Sequence, residues 1–499
     1  MADMVQSQIV RDIRSGFDSL WTRRSIWDRG YRESRTPSSP SMLLELLSHQ
    51  NFADMKYGLD PSFRFTASRA VYKGIVKYLS NRYGCSYAIQ PLPVESIGIR
   101  LAEDGAILSW KSVEDPLEPT ASPEGFILQT RKGEGAFDNG IVLKNVTHEG
   151  DTYNIKVPMA KGQIYSFRII AFNQGGRSFP SETVSAGIPA EGHLSQPVLV
   201  VNNFDRVSGP AFIDTPEYAG FDSRRDSGVS FIEDITYTGE MNESRRDMQW
   251  MSNDSPGFGA SYTDKAGEIV AGNTFDYASV HGNAIMLAGH PFFSCSNERF
   301  CSDSTYMQDA WAIDLICGKQ VTTSIGSGQT QRYSVFPAEM QKALREYASR
   351  GGNMLVSGAY IGTDIWDQVY PVHTDSLFKA ESKKFAETVL GYRWITSNAS
   401  PNGLARPVRN PLIKSEMEIF DLWNTPNGMC YSVESQDGIA PAAAGAYSIF
   451  RYSDSGISAG TGYKGKGYRT ICLGFPIEAV KYSSDIQEII RLSLNFFEE

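Results

Sequence analysis

Ile164-Tyr165-Ser166-Phe167-Arg168-Ile169-Ile170-Ala171-Phe172-Asn173 places Phe167, Ile169 and Ala171 on one face of an extended chain, with Arg168 on the other. This period-two alternation is the mark of a half-buried strand. Upstream, Ile107-Leu108-Ser109-Trp110 reads the same way, with the tryptophan as a candidate core residue. Gly- and Pro-rich turns separate such segments from Pro91 to about residue 190, and short strands at that rhythm predict an antiparallel sandwich over 91–190.

Further along, the alternation lengthens. Val198-Leu199-Val200-Val201, Ala284-Ile285-Met286-Leu287, Ile313-Asp314-Leu315-Ile316, Met354-Leu355-Val356 and Thr470-Ile471-Cys472-Leu473 read as short buried strands. Pro337 to Arg350 reads as a helix with Met340, Leu344 and Tyr347 inward and Gly351-Gly352 as its stop. Strands alternating with helices predict a mostly parallel α/β sheet over 195–499, with 214–276 as an aperiodic insertion.

Residues 1–90 are read as a third unit of α/β type. Val5, Ile9, Ile13, Phe17 and Leu20 form one helical face, Pro37 and Pro40 break the chain, and Asp60-Pro61 starts a second helix. Between them Met42-Leu43-Leu44-Glu45-Leu46-Leu47 reads as a buried strand holding one carboxylate. A lone carboxylate in an apolar strand is costly unless it is paired, protonated, at a metal or able to reach water, which makes Glu45 a candidate functional group.

The chain has 499 residues and a net charge of −10, which argues against a nucleic-acid binder. No apolar run is long enough to span a membrane. The N-terminus reads as an amphipathic helix rather than a signal peptide, which taken literally keeps the chain inside the cell. The six cysteines make no CxxC pair; Cys295 and Cys301 are spaced to close a small disulfide loop, or remain free thiols.

Pro40, the Leu43-Leu44-Glu45 strand, Asn51 six residues after the glutamate, and Gly74-Ile75-Val76-Lys77-Tyr78 at a helix end resemble the C-terminal motif of zinc-dependent N-acetylmuramoyl-L-alanine amidases. The resemblance implies that Glu45 is the general acid/base beside a zinc-bound water, in an enzyme that cuts peptidoglycan. It also implies two histidines and a second glutamate as metal ligands, and no histidine precedes Glu45. A catalytic zinc needs three protein ligands, so the chain reads as the acid/base half of a zinc site without its metal half, with no cofactor of its own.

Trp110, Tyr165 and the 164–181 stretch resemble a fibronectin type III domain, with Tyr165 as the corner tyrosine; such modules act mostly as spacers. The last unit resembles flavodoxin-like and class I amidotransferase-like domains, whose ligands sit beyond the carboxyl ends of the strands. That points to loops holding Asp205, His290, Ser357 and Asp364 as binding residues: Ser357 as a nucleophile with His290 as base, Ser357 with Thr363 as a phosphate cradle, or Asp205 and Asp364 on a sugar or cation. The order of the three units resembles large exported bacterial proteins of xanthan-lyase-like, golvesin-associated type. The parent protein is expected in the periplasm or at the cell surface, with peptidoglycan or another glycan as partner. The alternatives are a non-catalytic binding protein and a hydrolase seated in the C-terminal domain. Residues 1–83 are expected to be the least stable part.

Overall fold

The computed structural model describes residues 1–49, 51–191, 196–240, 243–245, 262–326, 330–370 and 375–499. His193 and His373, and part of the 214–276 insertion, lie outside them.

In the middle unit, Glu95–Ala102 pairs with Gly105–Lys111, which pairs with Thr152–Val157. The facing sheet places Gly125–Lys132 against Gln163–Asn173, flanked by Ile141–Val142 on one side and Val184–Ile188 on the other. All these pairings are antiparallel, giving a fibronectin type III-like sandwich. Trp110 is fully buried, 5.3 Å from the Phe126 ring and stacked on Tyr153 at 6.0 Å. The Tyr165 hydroxyl accepts a hydrogen bond from the Ala160 N–H at 3.3 Å, which ties the corner before the 163–173 strand.

The C-terminal unit is a doubly wound sheet. Its parallel strands run, across the sheet, Phe292–Ser296, Val198–Asn202, Ala312–Gly318, Asn353–Gly358 and Arg469–Leu473. Ser458–Lys464, Ala446–Tyr452 and Leu404–Pro407 extend it antiparallel. In chain order the parallel strands lie 2-1-3-4-5, so the winding reverses between 198–202 and 312–318. Helices Ala278–Leu287 and Ser483–Glu498 pack on the face of Val198 and Val200, while Ala338–Ser349 and Ser376–Phe385 cover the face of Leu199 and Val201.

Two expectations are corrected, and the choice left open for the cysteines is decided. Ala284 to Leu287 is the end of a helix, not a strand; a four-residue apolar run fits either, and here Ala284 and Ile285 meet the sheet while Leu287 is exposed. Residues 1–90 contain no strand among the described residues and are not α/β: the elements are helices Ala2–Gly16, Arg32–Arg35, Phe52–Gly58 and Pro61–Tyr83. Met42 to Leu47 is irregular, and Leu43, Leu44 and Glu45 are exposed. A strand must pair its backbone groups with a neighbour, and this part of the chain offers none. Cys295 and Cys301 are free thiols, like the other four cysteines.

The sandwich is also not a detached spacer. Its strands 95–102 and 184–188 both pair antiparallel with the outer strand of the parallel sheet, at Gly98↔Cys295 and Gly187↔Phe292. Glycine lets the strands approach closely at both contacts: a Cβ at Gly98 would meet the Tyr306 hydroxyl, and one at Gly187 the Met286 sulfur, so a neighbour would have to shift. Trp110 and Phe167 of the sandwich and Leu315 and Val356 of the α/β unit belong to one continuous apolar core. The N-terminal helices join in turn. Val5, Ile9 and Ile13 pack on Phe63, Ala67 and Ala70, and the buried Lys73 ammonium lies 2.9 Å from Asp12 and 3.3 Å from Asp115 of the sandwich. Arg69 reaches Asp115 at 3.2 Å and Lys77 reaches Glu118 at 2.6 Å.

Candidate functional site

In a doubly wound sheet the crevice at the reversal point is where a ligand would enter. Here the chain fills it. Just after the 198–202 strand, Arg206 turns inward and is fully buried, paired with Asp226. The nitrogen paired with Asp226, Nη2, also donates to the Tyr370 hydroxyl at 2.6 Å, while Nε donates to Thr323 Oγ1 at 3.1 Å and Nη1 to the Lys319 carbonyl at 2.9 Å. Lys319, directly after the 312–318 strand, reaches Asp226 and Glu434, each at 2.9 Å. Burial alone would raise the Asp226 carboxyl, but the Arg206 and Lys319 charges outweigh it and hold it well below the usual carboxylate range.

The neighbouring loops are tied as firmly. Asp364 accepts from the Thr322 N–H at 2.6 Å and the Val335 N–H at 2.9 Å, so it closes the 319–335 loop. Asp437 accepts from the Gly362 and Thr363 N–H groups at 2.6 and 2.9 Å and from the Trp394 indole at 3.0 Å. Asp205 accepts from Gln320 at 2.5 Å. These groups hold the rim together.

Ser357 lies inside the 353–358 strand, fully buried, with a hydroxyl that makes no hydrogen bond. His290 precedes the 292–296 strand and so sits at the amino end of the parallel sheet, whereas Ser357 is at the carboxyl end. His290 stacks on Trp311 at 4.9 Å and approaches Glu498 at 3.5 Å. The two residues are not a base and its nucleophile. Asn51 is a helix cap, accepting from the Ala53 and Asp54 N–H groups at 2.9 and 3.3 Å.

A second buried network lies under the sheet. His281 is fully buried, with Nδ1 2.7 Å from Asp314 and Nε2 3.3 Å from Glu478, whose other oxygen accepts from Tyr431 at 2.7 Å. Burial would lower the imidazole, but the two carboxylates outweigh it and lift it to about 10. Burial raises the carboxyls of Asp437 to about 7 and of Asp205 and Asp60 to about 6. A group raised in the folded state stabilises fully below its unfolded pKa and loses that contribution as pH climbs through the folded value. The windows therefore run from 3.8 to about 6 or 7 for the carboxyls and from 6.5 to about 10 for His281. Asp226 acts oppositely, only below its ordinary 3.8. The urea midpoint is expected to fall steadily from about pH 5 to about pH 9. A midpoint that stays flat or rises across that range would contradict these assignments.

No group of three or more His, Cys, Asp or Glu among the described residues is placed to hold a metal ion, so the residues around Glu45 do not fit a catalytic zinc. Glu45 instead lines an open groove of about 830 Å³ in the N-terminal unit. Trp27 and Tyr31 stand in its wall, 64% and 42% exposed, and the Arg29 guanidinium lies 4.4 Å above the Trp27 ring. Arg23, Arg24, Arg29 and Arg35 line it against Asp28 and Glu45; with Arg23 paired to Asp3, a small excess of positive charge remains in an acidic protein. No helix is long and apolar enough to cross a membrane among the described residues.

No family model matches the sequence, and no curated protein matches it. Among solved structures, the chain is similar to a myokine at 20% identity, covering 21% of this chain and 99% of that one, with a TM-score of 0.16. A human FNIII domain is 15% identical, over 22% of this chain and 89% of that one, with a TM-score of 0.18. The exo-beta-1,4-mannosidase Op5Man5 from Opitutaceae bacterium strain TAV5 is 9% identical, over 44% of this chain and 30% of that one, with a TM-score of 0.27.

Proposed function

We propose that the chain is a non-catalytic glycan-binding protein of the cell envelope, and that its ligand lies in the N-terminal groove. The observation that supports this reading is the pair of exposed rings, Trp27 and Tyr31, in a groove of about 830 Å³ with surplus arginines. Exposed aromatic faces offer flat apolar contact to the C–H faces of sugar rings, and arginine donates to carboxylates through paired N–H groups. A glycan bearing carboxylates, such as peptidoglycan with its stem-peptide acids, matches both. Amidase chemistry is the weaker reading, because Glu45 is exposed on an irregular segment with no metal donors gathered around it among the described residues.

Co-sedimentation with purified peptidoglycan sacculi tests this. Wild type is expected to pellet with sacculi, and Trp27→Ala to bind at least tenfold more weakly, a loss of about 1.4 kcal/mol. Neither wild type nor Glu45→Gln is expected to release muropeptides with zinc added. Binding unchanged in Trp27→Ala, or absent in wild type, would remove the proposal; release abolished by Glu45→Gln would restore the amidase.

A further inference from the structure

We propose that the 231–235 segment, with Phe179 of the sandwich and the neighbouring Ile269 and Met429, is a docking surface for a protein segment that carries apolar side chains together with lysines or arginines. It shares no residue with the N-terminal groove and does not depend on the glycan reading.

The surface is a run of exposed apolar side chains. Phe179, Phe231, Ile232, Ile235, Ile269 and Met429 are all between 41% and 79% exposed. The Phe179 and Phe231 rings lie 5.9 Å apart, and Phe231 rests on Phe275 at 5.5 Å. Asp234 pairs with Val270 antiparallel, so Ile235 and Ile269 are the residues that follow at the same end of the pair. A Cβ at Gly428 would lie 3.2 Å from the Ile269 carbonyl, and Met429 is the next residue. Single apolar residues are ordinary on a surface; a contiguous run marks a contact site.

Ile232 sets this run apart. Its backbone lies in the left-handed region, at φ +62°, which a β-branched residue rarely adopts. The Glu233 N–H donates across it to the Phe231 carbonyl at 2.7 Å, closing a three-residue turn of the strained kind. Its own N–H donates to the Asn273 carbonyl at 2.9 Å, and its carbonyl accepts from the Gly272 N–H at 2.8 Å. Glycine adopts this conformation freely and would remove only a half-exposed side chain. A strained backbone that holds an isoleucine toward solvent gives up stability for what that side chain meets outside the fold.

The charges around the run select the partner. Glu233, Asp234, Glu240, Asp264 and Glu268 stand against Arg64, Arg224 and Lys265 among the described residues. Arg224 pairs with Glu240 at 2.9 Å and Lys265 with Glu268 at 3.0 Å, while Arg64 Nε donates to the Gly58 carbonyl. Glu233 and Asp264 are exposed and make no ion pair with a described residue. Burial, then the carboxylates of Glu434, Asp264 and Glu240, raise the phenol of Tyr237 to about 12, so negative charge gathers two residues beyond Ile235. An acidic rim attracts cations and repels anionic lipid or a second copy of a chain whose net charge is −10. The aliphatic side chains of Ile232, Ile235, Ile269 and Met429 offer a sugar neither a ring face nor a donor. A protein segment with apolar and basic side chains answers both features.

Fluorescence anisotropy with labelled peptides tests the surface. The probe is a helical peptide of leucines and lysines with its leucines on one face. One control keeps the lysines and has serine for leucine; the other keeps the leucines and has glutamate for lysine. The leucine–lysine peptide is expected to bind wild type at least tenfold more tightly than either control. Ile232→Gly is expected to weaken it at least tenfold with no fall in melting temperature, since glycine relieves the turn. Ile235→Ser is expected to weaken it as well, and Trp27→Ala to bind as wild type does. The proposal fails if the leucine–lysine peptide does not bind, if either control binds as tightly, or if Ile232→Gly binds like wild type. It also fails if Ile232→Gly lowers the melting temperature, because the side chain then serves the fold. Loss of binding in Trp27→Ala would place the peptide in the groove, and a wild-type dimer broken by Ile235→Ser would make a second copy the occupant; either result overturns it.

Discussion

Replacing Asp226 by alanine is expected to cost about 3–5 kcal/mol, enough to unfold the α/β unit of a marginally stable chain. Asp226 is the carboxylate that faces both Arg206 and Lys319, and all three side chains are at most 1% exposed. Its removal leaves Arg206 with neutral acceptors alone, while Lys319 keeps Glu434. A guanidinium held out of water without its counter-ion is far costlier than the pair was favourable. Urea unfolding checks this, with a clear loss of midpoint in Asp226→Ala. A loss under about 1 kcal/mol, the scale of an exposed pair, would show that water reaches the cluster.

Lys73→Ala is the second large effect, expected near about 3 kcal/mol and read by proteolysis as well as by melting. The ammonium is 2% exposed and lies between Asp12 of the first helix and Asp115 of the sandwich. Asp115 keeps Arg69, but Asp12 keeps only the Gln8 amide, at 2.8 Å. In wild type trypsin is expected to cut only within the exposed 18–49 stretch and leave helices Ala2–Gly16 and Pro61–Tyr83 docked, and in the variant to release both. This reverses the ordering that the sequence suggests, in which 1–83 is the weakest part. Early release of 1–83 from wild type would reinstate that ordering.

What the sequence reveals depends on which interactions are local. Phe167, Ile169 and Ala171 alternate because one face of their strand meets core and the other does not, and that pattern is visible in ten residues. The runs at 198–201, 313–316, 354–356 and 470–473 are legible as strands because both their faces are covered. Met42 to Leu47 misleads for the same reason: its leucines look like a strand, but pairing is a long-range property. Lone-carboxylate logic singles out Glu45, yet it applies better to Asp314 in Ile313-Asp314-Leu315-Ile316, which is buried against His281. Which of two such carboxylates is buried depends on helix 278–287 arriving over one of them, and spacing along the chain does not record that. The Arg206–Asp226–Lys319–Glu434 cluster spans more than two hundred positions and leaves no motif. Trp27 and Tyr31 were legible as residues but not as a groove, because the turns that expose them lack any period.

The two glycine contacts at the outer strand of the parallel sheet have a mechanical consequence. A chain of beads under tension stretches by parting its linkers, one unit after another. Here the sandwich and the α/β sheet are laced through a common edge, so pulling on the ends loads several strands side by side in shear. Such a body resists as one block and, once it yields, gives way in a single step.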